Sequence, residues 1–208
     1  MTVKRDSRRE SAYSQAAATF RSNGGVLRTM EALDLGVHPR TLYAMRDAGM
    51  LEQLGRGLFR LSDLPPLGNP DLVAVALRVP EGVICLLSAL AVHEITTQIP
   101  HEVHIALRRG AETPRVEHPP VRAFWFTGRA FDEGIETREL DGVGIRVYGA
   151  AKTVADCFKY RNKLGIDVAV EALRDFSRRH RGGANELARF ARICRVSRVM
   201  QPYLDAIA

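Results

Sequence analysis

The chain has 208 residues, 46% hydrophobic and 26% charged, the balance of a globular protein with room for one large or two small cores. Its net charge of +6 and pI near 9.6, carried mostly by arginine, favour a polyanionic partner. A polar N-terminus without an apolar signal core, and no run of transmembrane length, argue against a membrane role and for a cytoplasmic protein.

In chain order, Lys4, Arg5, Arg8 and Arg9 form a basic N-terminal segment, read either as an arm or as a solvated end. Ser11 to Arg21 is expected to be helical, with Tyr13, Ala16, Ala17 and Phe20 on one face. After Gly24-Gly25 and a short extended entry, Leu27, Met30, Leu33 and Leu35 suit a short amphipathic helix that Gly36 stops. Pro39 then opens a second helix, to about Ala48. Helix, tight glycine turn and helix is the order of a helix-turn-helix.

At 100° per residue, Leu42 and Met45 of the second helix face inward, while Arg40, Tyr43, Ala44 and Asp47 face outward with Thr41 and Arg46 on the flanks. An outward face of arginine, hydroxyl and small side chains suits a major groove, so Arg40, Thr41, Tyr43, Ala44 and Arg46 are candidate DNA contacts. Two short apolar runs around Gly55-Arg56-Gly57 read as a β-hairpin, the wing of a winged helix-turn-helix. Arg56 at its tip and Arg60 in its second strand are expected to reach phosphate or minor groove.

Residues 64–70 hold three prolines and a glycine and read as a linker between a DNA-binding domain, 1–63, and a second domain, 71–208. In the second domain, helices are expected over Leu72 to Arg78 and over the apolar run Val83 to Ile95. Strands are expected over His101 to Leu107, Val121 to Thr127, Ile135 to Leu140 and Val143 to Tyr148, the last two around the hairpin turn Asp141-Gly142. Four helices follow: Ala150 to Tyr160, Ile166 to Arg179, Asn185 to Cys194 and Ser197 to Ile207. The fold class is α+β: a winged helix-turn-helix, then a small mixed-sheet domain with flanking and C-terminal helices.

No catalytic pattern stands out. His93-Glu94 lacks the second histidine of a zinc-protease helix, and His101 and His104 do not share a strand face, so no metal or cofactor is expected. No lysine follows an acidic residue by two positions, as in restriction-type nucleases, and no P-loop or Asp-x-Asp pair occurs. Cys85, Cys157 and Cys194 lack CxxC spacing and read as reduced core thiols. Asp156 reads as a helix carboxylate paired with Lys152, Lys159 or Lys163. Towards the C-terminus, Arg178, Arg181, Arg189, Arg192 and Arg195 form either a second basic surface or a solvated helix face.

These pieces, in this order, resemble AbiEi-family antitoxins. The first domain carries the likeness in Gly24-Gly25-Val26-Leu27, Leu35-Gly36-Val37-His38-Pro39-Arg40-Thr41-Leu42-Tyr43, Ala48-Gly49-Met50-Leu51 and Gly55-Arg56-Gly57-Leu58-Phe59-Arg60-Leu61. The second domain carries it in Ile84-Cys85-Leu86-Leu87-Ser88-Ala89-Leu90 with His93 and Thr96-Thr97, in Val103-His104-Ile105-Ala106, and in Val147-Tyr148 followed by Lys152-Thr153-Val154-Ala155-Asp156-Cys157.

The resemblance implies a non-enzymatic antitoxin of a type IV toxin–antitoxin system, linked to abortive infection. Its first domain would bind inverted repeats in its own promoter as monomer or dimer and repress transcription. The second would counter a nucleotidyltransferase-like toxin without a stable complex being assumed. His38-Pro39 stands where family members often have a small hydroxyl residue, which leaves the start of the recognition helix open. The alternatives are a winged-helix regulator whose second domain senses a ligand or protein with no toxin, and a nucleic-acid enzyme using Asp156 or the histidines.

Overall fold

The computed structural model describes residues 3–207, with side chains from residue 9 on. The side chains of Lys4, Arg5 and Arg8 lie outside the described residues. The chain divides into two units, one of residues up to Ala74 with Glu139–Gly144, the other of Val75–Arg138 with the residues from Ile145 on.

The first unit begins with helix α1 (Val3–Ser22), followed by strand β1 (Val26–Arg28), α2 (Thr29–Asp34), α3 (Pro39–Asp47), β2 (Leu51–Gly55) and β3 (Leu58–Leu61). The strands form one antiparallel sheet in the order β1-β3-β2, with Leu27 opposite Phe59 and Glu52 opposite Arg60. Phe20, Ala32, Leu42, Met45 and Phe59 are buried together, so three helices and the wing share one core.

The helix expected from Leu27 to Leu35 is shorter than its spacing implied. Leu27 is drawn into β1 by pairing with β3, and α2 begins only at Thr29. Met30 (65% exposed) and Leu35 (46%) face solvent, and Ala32 is the residue α2 buries. Gly36 adopts φ +87°, a conformation costly for a side-chain-bearing residue, and lets the chain turn into α3.

After α4 (Pro70–Arg78), the chain continues through β4 (Val83–Ile84), α5 (Leu86–Val92), β5 (Val103–Arg108), β6 (Val121–Phe126), α6 (Arg129–Asp132), β7 (Ile135–Leu140) and β8 (Val143–Tyr148). Helices α7 (Ala150–Lys159), α8 (Arg161–Leu164), α9 (Ile166–Arg179), α10 (Ala184–Ile193) and α11 (Ser197–Asp205) complete it. The sheet runs β6-β5-β4-β8-β7 and is mixed: β5 is parallel to β6 and antiparallel to β4, and β4 is parallel to β8. The single helix expected over Val83 to Ile95 is instead a two-residue strand and a shorter helix, because Val83 and Ile84 pair with Ala106 and Ile105.

Helices α5, α9 and α10 pack against α7, which is why Ala151 to Phe158 is buried on every side. That burial includes Lys152 and Asp156, each 0% exposed. Lys152 Nζ sits 2.5 Å from Asp156 Oδ2 and 4.0 Å from the Tyr148 ring centroid. Cys194 Sγ donates to Asp156 Oδ1 at 3.1 Å. Of the three lysines expected as partners of Asp156, Lys152 is the one that pairs with it, and the pair lies in the core. Burial pushes the Asp156 carboxyl up, against the pull of Lys152, and also raises the Cys85, Cys157 and Cys194 thiols. All three cysteines are free and buried.

Candidate nucleic-acid interface

Helix α3 starts at Pro39, and the side chain of His38 caps it: Nδ1 accepts from the backbone N–H of Arg40 at 3.1 Å. The imidazole thus takes the role of a small hydroxyl and fixes the helix start that the sequence left open. Its loss in His38→Ala is expected to destabilise the first unit by about 1 kcal/mol, with His38→Asn close to the parent. Chemical denaturation of the three proteins measures it; equal stability of all three would remove the cap from the account.

From this start, Leu42 and Met45 are fully buried and the outward face follows. Arg40 is exposed and forms no ion pair among the described residues, while Thr41 and Ala44 are half-buried beside it. Tyr43 is 41% exposed and its ring meets Phe59 edge-on, centroids 6.1 Å apart, linking α3 to the wing. Arg46 is committed locally: its guanidinium lies 5.1 Å from the Tyr43 ring centroid and its Nη2 lies 2.7 Å from Asp47 Oδ1. Of the helix cations, Arg40 is the unneutralised one.

Beside this face, α1 and α3 enclose a cleft of about 580 Å³ lined by Arg9, Ala12, Tyr13, His38, Arg40, Thr41 and Ala44. Arg9 Nε donates to the Tyr13 hydroxyl at 2.6 Å, which aims the guanidinium, and its remaining donors meet no acceptor among the described residues. In sequence, Arg9 was read only within a basic N-terminal segment, either an arm touching DNA or a solvated end, and Tyr13 only as part of a helix face. Their i,i+4 spacing was the available signal, but it does not say that this turn of α1 lies next to α3.

The wing turns at Arg56-Gly57, with Gly57 at φ +69° and Arg56 exposed at the tip. Thr29 donates its backbone N–H (2.9 Å) and its hydroxyl (3.3 Å) to the Gly57 carbonyl, which ties the wing to the start of α2. Arg60 has to be withdrawn from the candidate contacts. It is 5% exposed, donates to the Pro65 carbonyl and lies 3.7 Å from Glu52 Oε2 across the ladder, so its charge is spent inside the unit.

In the second unit the arginine series is partly neutralised. Arg178 pairs with Asp175 and Arg189 with Glu133; Arg181, Arg192 and Arg195 are exposed without an ion pair among the described residues. The histidines do not converge. His93 Nε2 is 2.7 Å from the Tyr148 carbonyl, His101 is exposed ahead of β5, and His104 is buried within β5, its Nε2 3.3 Å from Glu102 and its Nδ1 unpartnered. His104 lies inside the sheet, because β5 is flanked by β6 and β4. Burial lowers the pKa of both His93 and His104. Among the described residues, no group of three or more His, Cys, Asp or Glu is placed to hold a metal ion. No helix among them is long and apolar enough to cross a membrane.

No curated protein matches the chain. A family model described as transcriptional regulator, AbiEi antitoxin, matches residues 14–62, from within α1 to the end of the wing. Over residues 14–62 the chain is similar to the AbiEi antitoxin transcriptional regulators.

Proposed function

We propose that the protein is the antitoxin and autorepressor of a type IV toxin–antitoxin system, binding double-stranded DNA at inverted repeats in its own promoter and countering a nucleotidyltransferase-like toxin. The family match over the winged helix-turn-helix carries this reading. The exposed face of α3 and the tied wing support it. In it, Arg40, Thr41, Tyr43 and Ala44 contact base edges, and Arg56 contacts the backbone or minor groove. Arg9, across the cleft from Arg40, adds a phosphate contact.

The test is a gel-shift on the protein's own upstream region against scrambled DNA at two salt concentrations. Arg40→Ala is expected to lose discrimination between the two, by about 1–3 kcal/mol for one bidentate base contact. Arg56→Ala should weaken binding to both and reduce the salt slope by about 1. Arg60→Met should leave discrimination intact and lower stability instead. Binding that ignores sequence in the parent, or an Arg40→Ala variant indistinguishable from it, refutes the repressor reading. Co-expression with a neighbouring nucleotidyltransferase gene tests the antitoxin reading: rescue of growth by the parent is the expected result.

A further inference from the structure

We propose that the cleft between α1 and α3 seats one phosphate of the DNA backbone, held by hydrogen bonds from His38 Nε2 and the Tyr13 hydroxyl beside the charge of Arg9. This contact rests on the duplex-DNA reading above and adds two uncharged donors to it.

His38 serves the helix with one ring nitrogen and leaves the other for a ligand. A neutral imidazole carries a proton on one nitrogen and a lone pair on the other. The Nδ1 lone pair is taken by the backbone N–H of Arg40 at 3.1 Å. The proton of the neutral ring is therefore on Nε2, a donor on the far side of the ring from the cap. Nε2 meets no acceptor among the described residues, and His38 is exposed and lines the cleft. A serine would cap the same N–H, but its side chain ends there. The imidazole caps the helix and carries a donor beyond it.

Tyr13 repeats the pattern on α1. Its oxygen accepts from Arg9 Nε at 2.6 Å, so its own O–H is left to donate, and it finds no partner among the described residues. Arg9 supplies further N–H groups and a positive charge. Ala12 and Ala44 keep the space between these side chains open, and no carboxylate lines the cleft. Glu10, next to Arg9 in sequence, points about 100° further round α1 and is not part of the lining.

Arg9, Tyr13 and His38 each present a donor, and one of them a charge. A phosphodiester answers them with acceptors alone and a negative charge. A guanine edge also offers two acceptors, but only at set positions of a sequence, so sequence dependence separates the two.

The full-length protein is titrated onto labelled promoter duplex and onto scrambled duplex at several salt concentrations. A hydrogen bond from an uncharged donor neutralises no phosphate and releases no counterion. His38→Ser, which keeps the cap, should bind both duplexes about 10- to 150-fold more weakly, the loss of one hydrogen bond to a charged group, with the parental salt slope. Tyr13→Phe should likewise weaken both with the slope unchanged. Arg9→Ala should weaken both and reduce the slope by about 1.

Promoter duplexes carrying single methylphosphonates, each with one phosphate charge removed, locate the contact. Parental binding should fall at a defined position, and there His38→Ser and Arg9→Ala should lose nothing further. Parental affinity in both His38→Ser and Tyr13→Phe, a loss confined to the promoter duplex, or a methylphosphonate profile of His38→Ser identical to the parent's overturns the phosphate seat. A parent that binds promoter and scrambled duplex alike refutes the repressor reading, while the seat is still read on both duplexes. A parent that binds neither duplex overturns both.

Discussion

Asp156→Ala is expected to destabilise the second unit by about 3–5 kcal/mol, the cost of leaving one member of a buried ion pair without its partner. Lys152 is 0% exposed, and the Tyr148 and Phe126 rings beside it offer only weak compensation for a missing carboxylate. Cys194 also loses its acceptor. Lys152→Met, which strands the carboxylate instead, should cost a similar amount. The double variant Lys152→Met/Asp156→Leu should recover most of the loss, since an apolar replacement of similar volume removes both desolvation penalties. Urea denaturation followed by Trp125 emission reads this unit directly. Single variants within about 1 kcal/mol of the parent would mean that the pair is hydrated or neutralised, contrary to its complete burial.

The same comparison separates structure from chemistry. A carboxylate that served only the fold is dispensable in the double variant. One that served a reaction is not, and an activity lost in the double variant despite recovered stability would favour an enzymatic reading of Asp156.

Phe59→Ala is expected to cost the first unit about 3–5 kcal/mol. Phe59 is 1% exposed in the central strand of the small sheet, faces Leu27 and Gln53 across the ladders, and meets Tyr43 of α3. Its removal therefore loosens the wing and the helix face together. Phe59→Leu, which keeps much of the volume, should cost less than about 1.5 kcal/mol. Amide hydrogen exchange along β3 measures the loss, and promoter binding should fall with it. Protection along β3 unchanged in Phe59→Ala would show that the three-stranded sheet does not depend on this side chain.

Much of the architecture was legible because it was written locally. Pro39 and the Leu42/Met45 spacing gave α3 its start and its buried face, Arg56-Gly57 and Asp141-Gly142 gave two hairpin turns, and β7, β8 and α9 lie at their expected limits. The misses are places where a distant partner decides. Three residues of β1 and two of β4 are strands only because β3 and β5 arrive to pair with them. Arg60 looked outward in sequence, and nothing in its own strand announces that the Pro65 carbonyl will return to accept a hydrogen bond from it. Lys152 and Asp156 have the spacing of a surface pair; their burial follows from three helices converging on α7. At the candidate interface, periodicity identified the α3 face but not Arg9, whose place depends on how α1 lies against α3.

The double tether from Thr29 to Gly57 bears on the thermodynamics of recognition. A hairpin that flutters in the free protein must be frozen when it meets a ligand, at a cost of about 0.5–1.5 kcal/mol per ordered side chain that is subtracted from affinity. Here the loop is already pinned to the helix pair, so a ligand spanning α3 and Arg56 meets two fingers of one rigid hand. The entropy of setting their spacing is lost during folding, and the separation between the two points of contact becomes a fixed ruler against which a groove either fits or does not.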